Sequence, residues 1–220
     1  MYSKYDPFIL FILKGFDQMK RPECQNRIRT IIRAADEGSV YVATDFADLG
    51  EKKTVNMALI RLAEEGLIKN VMFGVYYKPE FNKTLGEDIA PFPDAVAHAV
   101  ARNFSWSIVP SGDTVLNLLG LSTQVPAQWI YVSDGPYKEY AYENTAIKFK
   151  HTANKEISNL SFKTALTIQA LKALGKEHVT DLVIHKLKSV LTEEEKERMF
   201  TEAKSVTAWV YEIIKIICKD

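Results

Sequence analysis

The chain has 220 residues, 28 Lys and Arg against 28 Asp and Glu, 47% hydrophobic and 25% charged residues. These ordinary globular values exclude a disordered or fibrous protein, and the zero net charge excludes a global basic field that draws it to nucleic acid. Two cysteines, Cys24 and Cys218, make neither a disulfide framework nor, without clustered histidines, a zinc site, which places the chain in a reducing, cytoplasmic setting.

In chain order, an amphipathic helix is expected from about Asp6 to Met19. Its apolar run Phe8 to Leu13 is too short to span a bilayer. It also lacks the basic start and cleavage site of a signal peptide. Arg21-Pro22 breaks that helix. A second helix follows from Gln25, with Ile28, Ile31, Ile32 and Ala35 at helical spacing and Gly38 at its end. Val40 to Val42 is a short extended piece. Thr44 is expected to cap a brief helix stopped by Gly50.

A further helix runs from about Lys52 to Glu65, with Val55, Ala58, Leu59 and Leu62 on one face and Gly66 closing it. Leu67–Val71 and Gly74–Lys78 read as two strands joined in a hairpin, and Pro79 ends the unit. Helix, helix, helix and hairpin is the order of a winged helix-turn-helix. Residues 80–93, with Asn, Gly, Asp and prolines, read as a linker.

Beyond it, a helix is expected over Pro93–Asn103, a strand over Trp106–Val109 and a helix over Gly112–Leu119. Three strands follow at Gln128–Ser133, Lys138–Ala141 and Ala146–Lys150, the last two forming a hairpin. Four amphipathic helices complete the chain, near Ser161–Leu174, Val179–Val190, Glu193–Lys204 and Thr207–Ile217. Thr192 and Glu195 have capping-box spacing. The fold class expected is therefore α+β: a winged helix-turn-helix over residues 24–80, preceded by a helical extension over 1–23. An α/β domain over 94–220 follows, with a small sheet and a helical end.

A recognition helix buries one face and offers the other to the major groove. Lys52 and Lys53 sit at the helix start, where ammonium groups and free backbone N–H groups both meet phosphate. Asn56 suits an adenine edge; Met57 and Ile60 suit a thymine methyl. The candidate DNA-binding residues are Lys52, Lys53, Thr54, Asn56 and Arg61, with Lys69 on the wing. Lys20, Arg21, Arg27, Arg29 and Arg33 add charge nearby. Against this, the wing tip Val71-Met72-Phe73 is apolar, and a wing that grips phosphate is usually richer in Lys and Arg. An interaction module that no longer binds DNA is the alternative reading.

No catalytic residues are assigned. Ser111, Asp134 and His151 stand in hydrolase-triad order, but the Gly-x-Ser-x-Gly elbow is missing. Ser111 is expected to cap the following helix, and Asp134-Gly135-Pro136 to turn. His98, His151, His178 and His185 lack metal-ligand spacing, and no nucleotide loop occurs, so no cofactor is expected. Tyr131, Tyr137, Tyr140 and Tyr142 read as sheet packing rather than a base-stacking platform.

Thr44–Gly50, Ala58–Ile68 and Gly74–Pro79 resemble a bacterial family. So do Pro110–Gly112, Asn117–Ala127, Asp134–Pro136, His151–Ala153 and Gln169–Lys176. The family is the uncharacterised winged-helix proteins related to AbiEi-type antitoxins of type IV toxin–antitoxin systems, and the resemblance covers roughly Gln25 to Val210. It implies a winged helix that binds an inverted repeat of double-stranded DNA in its own promoter. It also implies an α/β domain acting against a partner nucleotidyltransferase toxin. The chain departs from the family's basic wing, and its extension Met1–Glu23 is longer than usual, with an apolar face suited to covering the winged helix or building a homodimer.

Overall fold

The computed structural model describes residues 22–152, 157 and 159–219. The helix expected over Asp6–Met19 lies outside them, as do Lys20 and Arg21. The protein is mixed α+β with small sheets, and it divides into two compact units between Asn103 and Phe104.

In the first unit, α1 covers residues 22–34. Ile28 and Ile32, one turn apart, are fully buried. The helix ends at residue 34, short of Gly38. Its end is closed by Lys78, whose ammonium donates to the carbonyls of Ala35 (2.7 Å) and Arg33 (3.2 Å). Gly38 instead lies in the turn before the first strand, donating its N–H to the Lys78 carbonyl at 2.8 Å.

Strand β1 (Val40–Val42) leads into a 3-10 turn, Ala43–Phe46. The turn is held by Asp45 rather than Thr44: the Asp45 carboxylate accepts the Val42 N–H at 3.0 Å. It also takes Arg102 Nε at 2.7 Å. Helix α2 (Lys52–Glu64) buries Val55, Ala58, Leu59 and Leu62, the face expected from their spacing.

Strands β2 (Lys69–Met72) and β3 (Val75–Tyr77) form the hairpin, and β3 lies between β2 and β1, antiparallel to both. A bulge between Asn70 and Met72 shifts the β2 register. The core joins Ile28, Ile32, Tyr41, Phe46, Leu59, Leu62, Ile68 and Tyr76.

The stretch expected to be a linker is instead ordered structure. Strands β4 (Glu80–Asn82) and β5 (Glu87–Ile89) pair antiparallel. Asn82 makes the turn: its side-chain oxygen accepts the N–H groups of Thr84 (2.9 Å) and Leu85 (3.1 Å). The first unit also holds nearly all of α3 (Pro93–Phe104). Arg102 fastens that helix by its bond to Asp45 and a second one to the Val40 carbonyl at 3.1 Å.

The second unit is built on a four-stranded sheet in the order β6-β7-β9-β8. Its strands are β6 (Ile108–Pro110), β7 (Trp129–Ser133), β8 (Lys138–Tyr142) and β9 (Thr145–His151). Pairing is antiparallel except between β7 and β9. Parallel register sets Tyr131 beside Phe149, and Trp106 and Tyr140 meet the Phe149 ring edge-on at 5.6 and 6.0 Å.

Helix α4 (Asp113–Leu118) starts at Gly112, not at Ser111, whose hydroxyl turns to the Ile130 carbonyl at 3.5 Å. Helices α5 (Phe162–Leu174), α6 (Asp181–Ser189), α7 (Glu193–Glu202) and α8 (Ala208–Cys218) finish the unit. Helix α5 is not amphipathic. Eight consecutive residues, Thr164–Leu171, are buried, because α4, α7, α8 and β6 surround it. The Thr192–Glu195 capping box forms as expected.

Candidate functional site

Helix geometry sorts the candidate residues of α2 by direction. At 100° per residue, the buried set Val55, Ala58, Leu59 and Leu62 leaves Lys53, Met57, Ile60 and Glu64 pointing most directly outward. Lys52, Asn56 and Ala63 fall on one flank, and Thr54 and Arg61 on the other. Five candidates therefore share one helix but not one face. Met57 and Ile60 are about two-fifths exposed, so the outward stripe is basic at its start, apolar in the middle and acidic at Glu64.

The start of α2 runs against local helix preference. Its N-cap, Glu51, makes no side-chain cap bond, and the first turn holds no acid. Two lysines stand there instead, where the positive end of the helix dipole disfavours them. Among the described residues neither Lys52 nor Lys53 forms an ion pair, and both are exposed. Exposed cations beside uncapped N–H groups are suited to an anion. The helix is held against α1 at its other end, where Arg29 makes a two-pronged pair with the Glu65 carboxylate at 2.8 and 2.7 Å and Gln25 donates to it at 2.9 Å. Arg29 is thereby engaged, while Arg27 and Arg33 remain on the surface.

Lys69 stands apart from the others. It begins β2 and lines a groove of about 530 Å³ with Ile60, Ala63, Glu64, Ile68, Asn70 and Tyr76. Its ammonium lies 2.5 Å from the Asp88 carboxylate on β5. The hydrogen bond and charge of Asp88 hold the Lys69 pKa above the ordinary lysine value. The hairpin tip is less apolar at its surface than its sequence implies. Val71 and Met72 are half-buried, and only Phe73 is fully exposed. Asn70 pins the tip by donating to the carbonyls of Met72 (2.9 Å) and Val75 (3.3 Å). Sequence reasoning missed Asp88 because its surroundings read as a linker. The signal was an Asn-led turn between Glu80-Phe81-Asn82 and Glu87-Asp88-Ile89.

In the second unit, Ser111, Asp134 and His151 each have separate partners. Asp134 accepts the Ser107 N–H at 2.8 Å, and His151 Nδ1 donates to the Gly135 carbonyl at 2.9 Å. Among the described residues, none of the three bonds to another. Among the described residues no three His, Cys, Asp or Glu side chains converge as metal ligands, and no helix is long and apolar enough to cross a membrane.

The unusual run after α4 is a tightly held loop. Gly120 has φ +62°, and its carbonyl accepts Lys186 Nζ at 2.8 Å. Asn117 clamps the loop by donating to the Gln124 carbonyl at 2.9 Å. Gly135 is required by contact: a Cβ there falls 2.4 Å from the Trp106 ring.

No curated protein matches the chain. Residues 27–199, most of both units, match a family of unknown function (DUF6088), and the chain belongs to that family.

Proposed function

We propose that this protein is a DNA-binding autoregulator of the antitoxin kind, with no catalytic role, whose first unit is a winged helix-turn-helix. The topology supports the reading: helix, strand, short turn, helix and hairpin, with β3 between β1 and β2. The observation that carries it is the start of α2, where Lys52 and Lys53 stand exposed, without an ion pair among the described residues, at a helix end with no side-chain cap. A local preference broken without a packing gain points to function. The helix would enter the major groove, with Lys53 and Asn56 facing the bases and phosphates and Arg61 reaching a strand from the flank. The antitoxin part rests on the resemblance of the second unit alone, with a nucleotidyltransferase toxin as the proposed partner. Protein in a reducing cytoplasm suits both roles.

Nuclease footprinting on the protein's own upstream region tests the reading. A protected inverted repeat supports it. Uniform cleavage, or protection that survives Lys52→Glu with Lys53→Glu, removes α2 as the reading helix.

A second reading draws on two observations at the hairpin. Phe73 is fully exposed, and Lys69, the one basic residue there, is paired with Asp88. Both suit a protein-contact surface. Phe73→Asp in co-purification with a partner toxin decides it: loss of the complex supports the contact, and an unchanged complex removes it.

A further inference from the structure

We infer that Asp88 is an internal counterion that withholds Lys69 from the phosphate backbone, leaving DNA recognition to α2. The inference rests on the DNA-binding reading above and deepens it.

Phosphate contacts supply sequence-independent affinity because each one releases condensed counterions. A lysine contributes fully only if it exchanges solution ions for a phosphate. Lys69 already holds a carboxylate at 2.5 Å. For it to reach DNA, a fixed protein charge must be abandoned, and that charge is then left beside the duplex.

The clamp is placed to be firm. Asp88 is only 21% exposed, against 54% for Lys69, so the acid is the more deeply seated partner. The register sets Asp88 opposite Phe81 in a two-stranded pair whose turn is fixed by Asn82. The same hairpin carries Glu80 and Glu87, both exposed. A chain of zero net charge with a neutralised wing has little non-specific attraction to DNA, so selectivity rises at the expense of affinity.

The test is fluorescence anisotropy of the full-length protein on a labelled duplex of its own upstream sequence, from 50 to 200 mM KCl. Wild type, Asp88→Asn, Lys69→Met, the double variant and Glu87→Gln are compared, with thermal unfolding as a check that each is folded. Freeing one cation steepens the plot of log K against log salt by about 0.9. Asp88→Asn is therefore expected to bind up to about 15-fold tighter at 50 mM and about 4-fold tighter at 200 mM. The double variant, which has neither charge, should bind as wild type does, and Glu87→Gln, which removes a charge from the same hairpin, should keep the wild-type slope.

An Asp88→Asn protein that binds with unchanged affinity and slope overturns the inference while leaving the DNA reading intact. So does a double variant that gains as much over wild type as Asp88→Asn does, since Asp88 then acts by simple repulsion. Absence of binding by every variant at 50 mM refutes the DNA reading, and this inference falls with it.

Discussion

Replacing Lys52 and Lys53 together by glutamine removes two cations from the start of α2 and little else. Both side chains are exposed and without ion pairs among the described residues, so no buried partner is orphaned. Two cations fewer at the positive end of the helix dipole should leave stability unchanged or raised by a few tenths of a kcal/mol. Binding should respond very differently. Each phosphate contact contributes about 0.9 to the slope of log K against log salt, so the slope should become shallower by about 1.8. Counted from 1 M salt, where this contribution vanishes, the loss is about 200-fold at 50 mM and about 20-fold at 200 mM. Anisotropy titrations of both proteins across that range read the two numbers together. A uniform loss at all salt concentrations would mean that the lysines act through something other than phosphate. An unchanged slope with unchanged affinity would refute the placement of the helix start on DNA.

Other predictions concern the frame that holds the site. Gly135→Ala drives a Cβ into the Trp106 ring and should cost about 1–3 kcal/mol in denaturant unfolding; an unchanged midpoint contradicts that contact. Leu59→Ala removes a fully buried side chain from the core of the first unit and should cost about 2–5 kcal/mol, read the same way. Burial raises the Glu202 carboxyl pKa. The Thr164 hydroxyl, the Ser161 N–H and hydroxyl, and Arg198 outweigh burial and hold it below the usual range. Its contribution is present above the unfolded carboxyl value of about 4.3 and lost as pH falls through the folded one, so Glu202→Gln should flatten the acid limb of the stability curve. Burial pushes the Tyr142 hydroxyl up to about 12, moderated by its bond to Thr145 and reinforced by the Glu143 charge. That contribution is full below pH 10 and lost between 10 and 12, so Tyr142→Phe should lose stability less steeply there; parallel curves would contradict it.

Helices with a strong apolar period were legible from sequence to within a residue or two. Val55, Ala58, Leu59 and Leu62 predict α2 because a half-buried helix must repeat every 3.6 residues. The β8–β9 hairpin was legible for the corresponding period of two. What escaped depends on partners distant in sequence. Helix α5 is buried all round by elements as distant in sequence as β6 and α8, which local periodicity does not register. The cap of α1 comes from Lys78, and the 3-10 turn owes its hold to Asp45 and Arg102 rather than to Thr44. The β4–β5 hairpin hid among turn-forming residues, since Asn82 and Gly86 serve a tight turn as readily as a linker.

The candidate site divides the same way. That Lys52 and Lys53 begin a helix follows from the periodicity after them. That Arg61 and Thr54 stand on the flank opposite Lys52 and Asn56 follows once the buried face is known. The ion pair of Lys69 was not legible in the sequence, because its partner Asp88 lies nineteen positions on and across a hairpin.

The most direct test of the central claim is competition binding with the full-length protein and its labelled upstream DNA at 50 and 150 mM KCl. Unlabelled upstream duplex competes against a shuffled duplex of the same composition. The account predicts that the upstream duplex displaces the label at far lower concentration than the shuffled one at both salts, with overall affinity falling as salt rises. Equal displacement by the two duplexes, or no binding at 50 mM, would contradict it.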